Sequence, residues 1–339
     1  LSNWRDYFRP ADGKRSGRRW KWELPVEYHY NEWIVERSCA TIDKCREEKK
    51  PFFMWASFPD PHPDFLIPEP WDTMYDPAKV TVPQIVDGEH AQNPPHFQMT
   101  QEAKPDFSMY KEGPESAAND GLKSHLQDRD SLAKDIAIYY AMISYMDDAI
   151  GLILDKLEQA GIADNTLVVF TTDHGHFFGQ HGFNRKGPFH YEDVIRIPFI
   201  ASGPGVSEGK ISDSLQSLVD LAPTFLSYAG LPVPRTMSGI DQKPVWSGEK
   251  ETLRDHVLVE NRHQPTKLNI LTYVDERYKM TVYYGREYGE IFDLQEDPEE
   301  LRNLWNSPEH TELKQSLLLK FLHAEMVRDP LWMPRVSAA

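Results

Sequence analysis

The sequence predicts an α/β fold, in which a sheet is covered by helices on both faces, followed by a small antiparallel α+β subdomain. Apolar runs at 52–58 and 166–170 suit strands that are buried on both faces, and another strand is expected at 197–201. An amphipathic helix at 131–159 separates the first two strands. This order of strand, helix and strand indicates a parallel sheet with crossover helices.

The last part of the chain has a different pattern. Beyond Gly248, four short apolar segments follow one another at hairpin-like spacing, and a helix is predicted at about 309–327. We therefore expect a large α/β domain over residues 1–248 and a small antiparallel subdomain with a terminal helix over residues 249–339. A chain of 339 residues is long enough to bury both.

Composition excludes several classes of partner. The formal charge of −16 argues against broad binding to nucleic acid or to anionic lipid, because both need a positive surface. Hydrophobic residues make up 40% of the chain, and no apolar run approaches the length needed to span a bilayer. We expect a soluble chain with no nucleic-acid or membrane partner, in which an anionic substrate needs a local basic pocket.

The two cysteines and the first residues say little about the compartment. Cys39 and Cys45 are too few for a disulfide framework, and their spacing on a predicted helix makes a bridge between them doubtful. The chain begins at Leu1 without a readable targeting signal. The sequence therefore predicts no localisation.

A long irregular segment at 68–130 interrupts the predicted fold. It is rich in proline and then polar, with weak periodicity. Within a compact domain, such a stretch is more often a functional surface loop or lid than a linker. We expect its part at 84–130, together with the tryptophan-rich start of the chain, to line a substrate pocket.

The segment at 166–200 carries the sharpest chemical signal. The strand at 166–170 delivers Asp173 and His174 to the sheet edge where open α/β folds bind ligands, and Gly175 lets the backbone turn away. A carboxylate next to an imidazole is a metal-ligand pair, and Lys186 returns with Arg185 on the following loop as cations for an anion. The alternative for the dipeptide alone is an ordinary strand-to-loop turn with a capping aspartate.

Four ordered motifs resemble the sulfatase family of the alkaline-phosphatase superfamily. They are the stretch from Tyr139 to Gly205 with its TTDHG turn, the segment PFFMWASFPDPHPDF, the segment SLVDLAPTFLSYAGLPVP and the closing segment EIFDLQEDPEELRNL. The resemblance covers most of residues 50–305 and implies an alkaline-phosphatase-like fold. It also implies a formylglycine nucleophile and a divalent cation, usually calcium.

The resemblance carries roles onto individual residues. Asp173 and His174 match one pair of metal ligands, Lys186 matches the lysine that contacts the sulfate, and His62 matches the histidine at the ester oxygen. Calcium is the first choice of metal, although the imidazole leaves Mn²⁺ or Zn²⁺ open. His176, His181 and His190 are expected to be outer contacts or surface residues.

The residues that the family uses as its nucleophile are not found. Neither Cys39 nor Cys45 fits the pattern Cys-x-(Pro/Ala)-x-Arg, and the acidic metal ligands expected ahead of the first strand are also absent. We expect an N-terminally truncated catalytic domain, with the formylglycine encoded upstream and no activity in the isolated chain.

Together these patterns predict a sulfuric ester hydrolase that cleaves sulfate monoesters at a divalent metal. Two alternatives stay open: a phosphonate monoester or phosphodiester hydrolase of the same superfamily, and a catalytically inactive module that binds anions. The expected partner is a small-molecule or carbohydrate sulfate ester. A separate polypeptide that carries the N-terminal segment and a homo-oligomer are further hypotheses.

Overall fold

The computed structural model describes residues 19–110, 128–262 and 267–328. These residues fall into two compact units, which we describe separately. Unit one contains the described residues of Leu1–Pro83 and Gln127–Thr166, and unit two contains those of Gln84–Leu126 and Leu167–Ala339. The tryptophan-rich start and the part of the predicted lid at 111–127 lie outside the described residues.

The described ranges contain seven α-helices and ten strands. The helices are α1 (Tyr30–Glu47), α2 (Pro95–Met99), α3 (Arg129–Gln159), α4 (Glu192–Ile195), α5 (Leu221–Tyr228), α6 (Lys243–Trp246) and α7 (Thr311–Arg328). The strands are β1 (Arg19–Lys21), β2 (Phe65–Ile67), β3 (Val168–Thr171), β4 (Phe177–Phe178), β5 (Asn184–Arg185), β6 (Phe199–Ser202), β7 (His256–Asn261), β8 (Ile270–Asp275), β9 (Tyr278–Tyr283) and β10 (Gly289–Asp293).

Unit one is built from α1, α3 and the parallel pair β1–β2. Ile34, Ser38 and Ile42 recur every four positions on α1 and are all buried, so one face of the helix meets the core. The hydroxyl of Tyr145 on α3 donates to a carboxylate oxygen of Glu32 over 2.9 Å. Packing and this hydrogen bond hold the two helices side by side.

The apolar run at 52–58 does not form the buried strand that the sequence predicts. Among the described residues it joins none of the four sheets, and Phe53 and Trp55 are 70% and 69% exposed. The fully buried strand of this region is β2, which pairs in parallel with β1. An apolar run predicts burial but does not specify a strand partner, and backbone pairing is what makes a strand.

The helix α3 is long and apolar enough to cross a membrane, judged by length and composition alone. This differs from the expectation that no segment reaches that length. One such helix is weak support for a membrane span, because a core helix of a soluble protein passes the same test. Its buried residues include Ile136, Tyr145, Ala149 and Ile153, and Asp128 caps its first turn by accepting from the Ser131 amide over 2.8 Å.

In unit two, β3 and β6 lie close to their predicted positions but pair antiparallel, from Val168↔Ser202 to Thr171↔Phe199. The sequence predicts a strand at 197–201 without a pairing direction, and the structure pairs it antiparallel with β3. The connection between them contains the β4–β5 hairpin and the one-turn helix α4. It begins and ends at the same end of the pair, which is the geometry of antiparallel strands.

The C-terminal sheet confirms the predicted series of hairpins. Strands β7, β8, β9 and β10 are neighbours in chain order, and every pair is antiparallel. Phe321 of α7 packs in one cluster with Tyr273, Met280 and Ile291 of the sheet. The domain boundary at residue 248 stays a prediction.

A buried ion pair joins this sheet to α4. The side chains of Lys279 on β9 and Glu300 are 1% and 2% exposed and form a salt bridge. Lys279 Nζ also lies 3.3 Å from Oε1 of Glu192, and the Glu192 amide donates to Glu300 Oε2 over 2.7 Å. The first residue of α4 is thus held by both its side chain and its backbone.

Candidate metal and anion site

The chain leaves β3 through a short turn that carries Asp173 and His174. The His174 amide donates to Asp173 Oδ1 over 3.0 Å. The Asp173 side chain is 81% exposed and that of His174 is 31% exposed. The carboxylate therefore faces solvent, and the imidazole is partly enclosed.

Gly175 fixes this turn against α4. Its amide donates to the carbonyl of Val194 over 2.8 Å, and a Cβ at this position would lie 1.9 Å from the carbonyl oxygen of Asp193. Only a residue without a side chain allows such a close approach between two backbones. The glycine after Asp173 and His174 is therefore required by packing.

The His174 ring is oriented by hydrogen bonds at both nitrogens. Its Nδ1 lies 2.8 Å from the carbonyl oxygen of Gly175, which can only accept, so Nδ1 carries the hydrogen. Its Nε2 then presents a lone pair, and Lys186 Nζ lies 2.8 Å away as the donor. Oδ2 of Asp173 is 3.4 Å from the same nitrogen.

These donors fit one half of a metal shell. Two ligands of one cation, each at roughly 2.0–2.4 Å from it, are separated by about 3 Å, close to the 3.4 Å between Asp173 Oδ2 and His174 Nε2. A backbone carbonyl that holds the other ring nitrogen is also usual for a ligating histidine. Within the described ranges no group of three or more histidine, cysteine or acidic residues could hold a metal ion. Among these residues, the pair could therefore supply only part of a coordination shell.

Lys186 reaches the pair from the loop after β5. The strands β4 and β5 form a short antiparallel hairpin, with Phe177 opposite Arg185 and Phe178 opposite Asn184. Phe177 and Asn184 are buried, so the base of the hairpin is anchored in the core. This anchoring brings Lys186 back to His174, twelve positions earlier in the chain.

His62 belongs to unit one, whereas the other three predicted site residues belong to unit two. Its amide donates to the carbonyl of Pro59 over 3.0 Å, and its ring contacts the carbonyl of Pro63. The preceding Asp60 is 6% exposed and accepts hydrogen bonds from the Tyr30 hydroxyl and, over 2.9 Å, from Asn31 Nδ2. The histidine is exposed on a loop whose base is fixed.

A family model for sulfatases matches residues 7–231, which is more than half of the chain. The chain belongs to the sulfatase family. A second family model, described as the C-terminal part of N-sulphoglucosamine sulphohydrolase, matches residues 179–327. Membership implies a divalent metal ion and a formylglycine nucleophile as general properties of the family.

Two curated relatives illustrate the likeness to sulfatases. An arylsulfatase of Clostridium perfringens is 28% identical over 296 residues, which is 86% of this chain and 56% of the relative. An N-acetylglucosamine-6-O-sulfatase of Bacteroides thetaiotaomicron is 32% identical over 188 residues, which is 53% of this chain and 34% of the relative. The chain therefore spans little more than half of the first relative and a third of the second.

A solved structure extends the likeness to the fold. The phosphonate monoester hydrolase of Silicibacter pomeroyi superposes with a TM-score of 0.78 and 22% identity, covering 98% of this chain and 67% of the other. At this identity the comparison concerns the fold alone. The α/β, alkaline-phosphatase-like fold with a small C-terminal subdomain, predicted from the sequence, is confirmed.

In this sulfatase-family chain, two of the three extra histidines are not surface residues. His181 is 8% exposed, and its ring stacks on Tyr191 with the ring centres 3.7 Å apart. Burial alone would lower the pKa of His181, but hydrogen bonds to Asp193 and Glu89 raise it to about 9. His190 is 4% exposed and contacts the Thr272 hydroxyl over 2.7 Å.

The part of the predicted lid at 84–110 has exposed stretches, such as residues 84–88, but it is anchored in the core by several buried aromatic side chains. Phe97, Phe107 and Tyr110 are buried in the main aromatic cluster of unit two, together with Phe183 and Phe189 of the segment around Lys186. The irregular pattern of this segment hid its burial, because its aromatic residues follow neither helical nor strand periodicity.

Proposed function

We propose that the complete protein hydrolyses sulfate monoesters. The observation that carries the proposal is the convergence of three groups at the end of β3: His174 Nε2 lies 2.8 Å from Lys186 Nζ and 3.4 Å from an Asp173 oxygen. A carboxylate, an imidazole lone pair and an ammonium at one point suit an anion held against a cation. Family membership supplies the reaction class.

Asp173 and His174 would hold part of the shell of a divalent metal. When bound, such an ion supplies positive charge against sulfate oxygens. Calcium is our first choice on the resemblance, and the imidazole donor keeps Mn²⁺ and Zn²⁺ open. The Nδ1–H bond to the Gly175 carbonyl keeps the ring in the orientation and tautomer that ligation requires.

Lys186 and His62 would act on the substrate itself. The Lys186 ammonium has three hydrogens, so it can turn from His174 Nε2 towards a sulfate oxygen and stabilise negative charge there. His62 would hold a proton for the departing ester oxygen, and its exposure on a fixed loop suits that task.

The substrate class we propose is a small-molecule or carbohydrate sulfate ester. Support comes from the curated relative named as an N-acetylglucosamine-6-O-sulfatase. The comparisons lend no support to a homo-oligomer or to a separate N-terminal polypeptide. Both stay predictions.

A phosphonate monoester or phosphodiester hydrolase is the second candidate. It is favoured by the Asp173–His174 pair, because the resemblance implies Asp-His ligands in such hydrolases as well, and by the fold of the phosphonate monoester hydrolase described above. Both reactions place a tetrahedral anion at the same cations. The substrates differ in the central atom and its charge.

A panel of two aryl esters separates the candidates. We expect the complete protein to turn over p-nitrophenyl sulfate with a higher kcat/KM than a p-nitrophenyl phosphonate monoester. Asp173→Ala should abolish turnover, and the exposed Asp213→Ala should keep it. The reverse preference would select the second candidate, and sulfate binding without any turnover would indicate an inactive anion-binding module.

A further inference from the structure

We infer that His181 is a positioning residue that fixes the Lys186 loop and the Asp173–His174 turn with respect to each other. The inference deepens the proposed function and rests on it for the roles of those two segments. The contacts that carry it all lie within unit two.

His181 sits between two carboxylates from different parts of the chain. Its Nδ1 lies 2.5 Å from Oε1 of Glu89, and its Nε2 lies 3.4 Å from Oδ2 of Asp193. A ring that faces an acceptor at each nitrogen satisfies both only as the doubly protonated imidazolium. Its parallel stacking on Tyr191, with an angle of 6° between the ring planes, removes its remaining freedom to rotate.

Residues near Glu89 in the chain also contact the turn that carries His181. The His181 carbonyl accepts a hydrogen bond from His90 Nε2 over 2.7 Å. At the next position, Gly182 has φ of +67°, and a Cβ there would lie 2.4 Å from Oε1 of Gln101. Residues of the segment 89–101 therefore contact the turn at His181 and Gly182, which leads directly into β5 and Lys186.

Asp193 transmits the same restraint to the metal-ligand turn. It lies in the first turn of α4, and its carbonyl oxygen is the atom that packs against Gly175. Its neighbour Val194 accepts the Gly175 amide hydrogen bond over 2.8 Å. Any shift of Asp193 therefore displaces Gly175, the residue whose carbonyl orients His174.

Stability alone gives a poor reason for this arrangement. A buried charge loses its hydration, and replacing buried ion pairs with apolar residues is often neutral or stabilising. His181 also adopts φ of +53°, a left-handed conformation that is uncommon for histidine. A charged group in a strained conformation that joins three segments specifies one geometry, beyond any stability that its charge contributes.

Hydrogen–deuterium exchange of the protein tests the inference directly. In His181→Gln, we expect peptides that cover residues 173–176 and 179–187 to exchange about tenfold faster, together, while peptides of β9 and β10 keep their wild-type rates. Glu89→Gln and Asp193→Asn change the shape of the side chain less, and they should give the same pattern of faster exchange. These two variants decide the question if His181→Gln does not fold.

His256→Gln is the matched control. His256 pairs with Asp255 over 2.6 Å on the C-terminal sheet, so the variant removes a histidine–carboxylate pair at another place. Exchange in both turns should stay at the wild-type rate. Unchanged exchange in either turn of the three test variants, or equal acceleration across all of unit two, would overturn the inference.

A kinetic arm separates this inference from the proposed function. If the complete protein turns over an aryl sulfate, His181→Gln should lower kcat by about tenfold or more with a smaller change in KM, because a misplaced lysine weakens transition-state binding. If the wild-type protein turns over no sulfate ester, the proposed function fails. The exchange experiment still decides the role of His181 in that case.

Discussion

The Nζ atom of Lys186 lies 2.8 Å from Nε2 of His174, so an ammonium donates to the nitrogen that would face a metal ion. The two groups would therefore compete for one lone pair. Binding a divalent cation at His174 requires Lys186 to direct its hydrogens elsewhere, and a sulfate oxygen is the acceptor that the proposed reaction provides. Metal and anion binding should accordingly favour each other.

In the complete protein, replacing either proposed metal ligand, Asp173 or His174, should abolish metal binding and leave the fold largely intact. Asp173 is 81% exposed, so Asp173→Ala loses little packing. His174→Ala should behave alike but lose slightly more stability. Elemental analysis after dialysis against Ca²⁺, with Asp213→Ala as the control, measures occupancy, and full occupancy in both ligand variants would refute the assignment.

Lys186→Ala should lower turnover far more than stability. The side chain is half-buried on a loop, and its expected partner is the transferred group, so kcat should fall on the order of 10²–10³-fold. The melting temperature should change by only a few degrees. Lys210→Ala replaces an exposed lysine of the same unit and should leave both quantities unchanged. Equal losses in the two variants would remove Lys186 from the site.

His62→Ala should damage poor leaving groups most, because protonation matters most when the departing oxygen is basic. For alkyl sulfates we expect a loss on the order of 10²-fold, with a much smaller loss for p-nitrophenyl sulfate. A series of aryl sulfates with phenols of increasing pKa gives the slope of log(kcat/KM) against the leaving-group pKa. The control is the exposed His323→Ala on α7, and an unchanged slope in His62→Ala would contradict the acid role.

Acid should destabilise the fold partly through His190. Burial, together with the smaller effect of the nearby Lys279 charge, lowers the pKa of His190 from 6.5 to about 3. The unfolded chain therefore takes up a proton that the folded chain excludes, and stability falls as the pH drops from about 6.5 towards 3.

Urea unfolding at several pH values tests this loss. Between about pH 6.5 and 3, the free energy of unfolding of His190→Asn should fall by on the order of 1–3 kcal/mol less than that of the wild type. His256 is partly exposed, and His256→Asn should show the same change of unfolding free energy with pH as the wild type. Parallel curves for the wild type and His190→Asn would show that another group controls acid unfolding.

Alkali should destabilise the fold through His181, whereas acid does so through His190. Burial disfavours its charge, but Asp193 and Glu89 raise the pKa of His181 from 6.5 to about 9. Its contribution is fully present below about 6.5 and disappears as the pH rises through about 9. His181→Gln should be less stable than the wild type at pH 6, and the difference should shrink by pH 10, as measured by urea midpoints. A constant difference would show that His181 is not charged.

The C-terminal sheet could be predicted because each of its strands pairs with the next strand in the sequence. Strands such as β8 and β9 are short, apolar and separated by two residues, so the turn and the pattern define each hairpin. The antiparallel pairing of β3 with β6 depends on how the chain between them folds. No property of either strand alone reports that direction.

The candidate site was predicted in part for a similar reason. Asp173, His174 and Lys186 lie in one short segment, so their residue types and spacing could be recognised together. The triad of Glu89, His181 and Asp193 joins separate segments, and the only local hint was a histidine next to Gly182. Burial decides the roles of such residues, and burial is a tertiary property.

The bond from the Glu192 amide to Glu300 has a consequence for the order in which the protein is made. The turn at 173–175 and α4 leave the ribosome long before residue 300 does, so the Glu192 amide at the start of α4 lacks this partner until then. Lys279 also emerges before Glu300 and lacks this buried counter-ion until residue 300 has emerged. We expect stalled chains that end near residue 260 to show rapid proteolysis at 175–196. Protection of this segment should appear only in chains long enough for residue 300 to have left the exit tunnel.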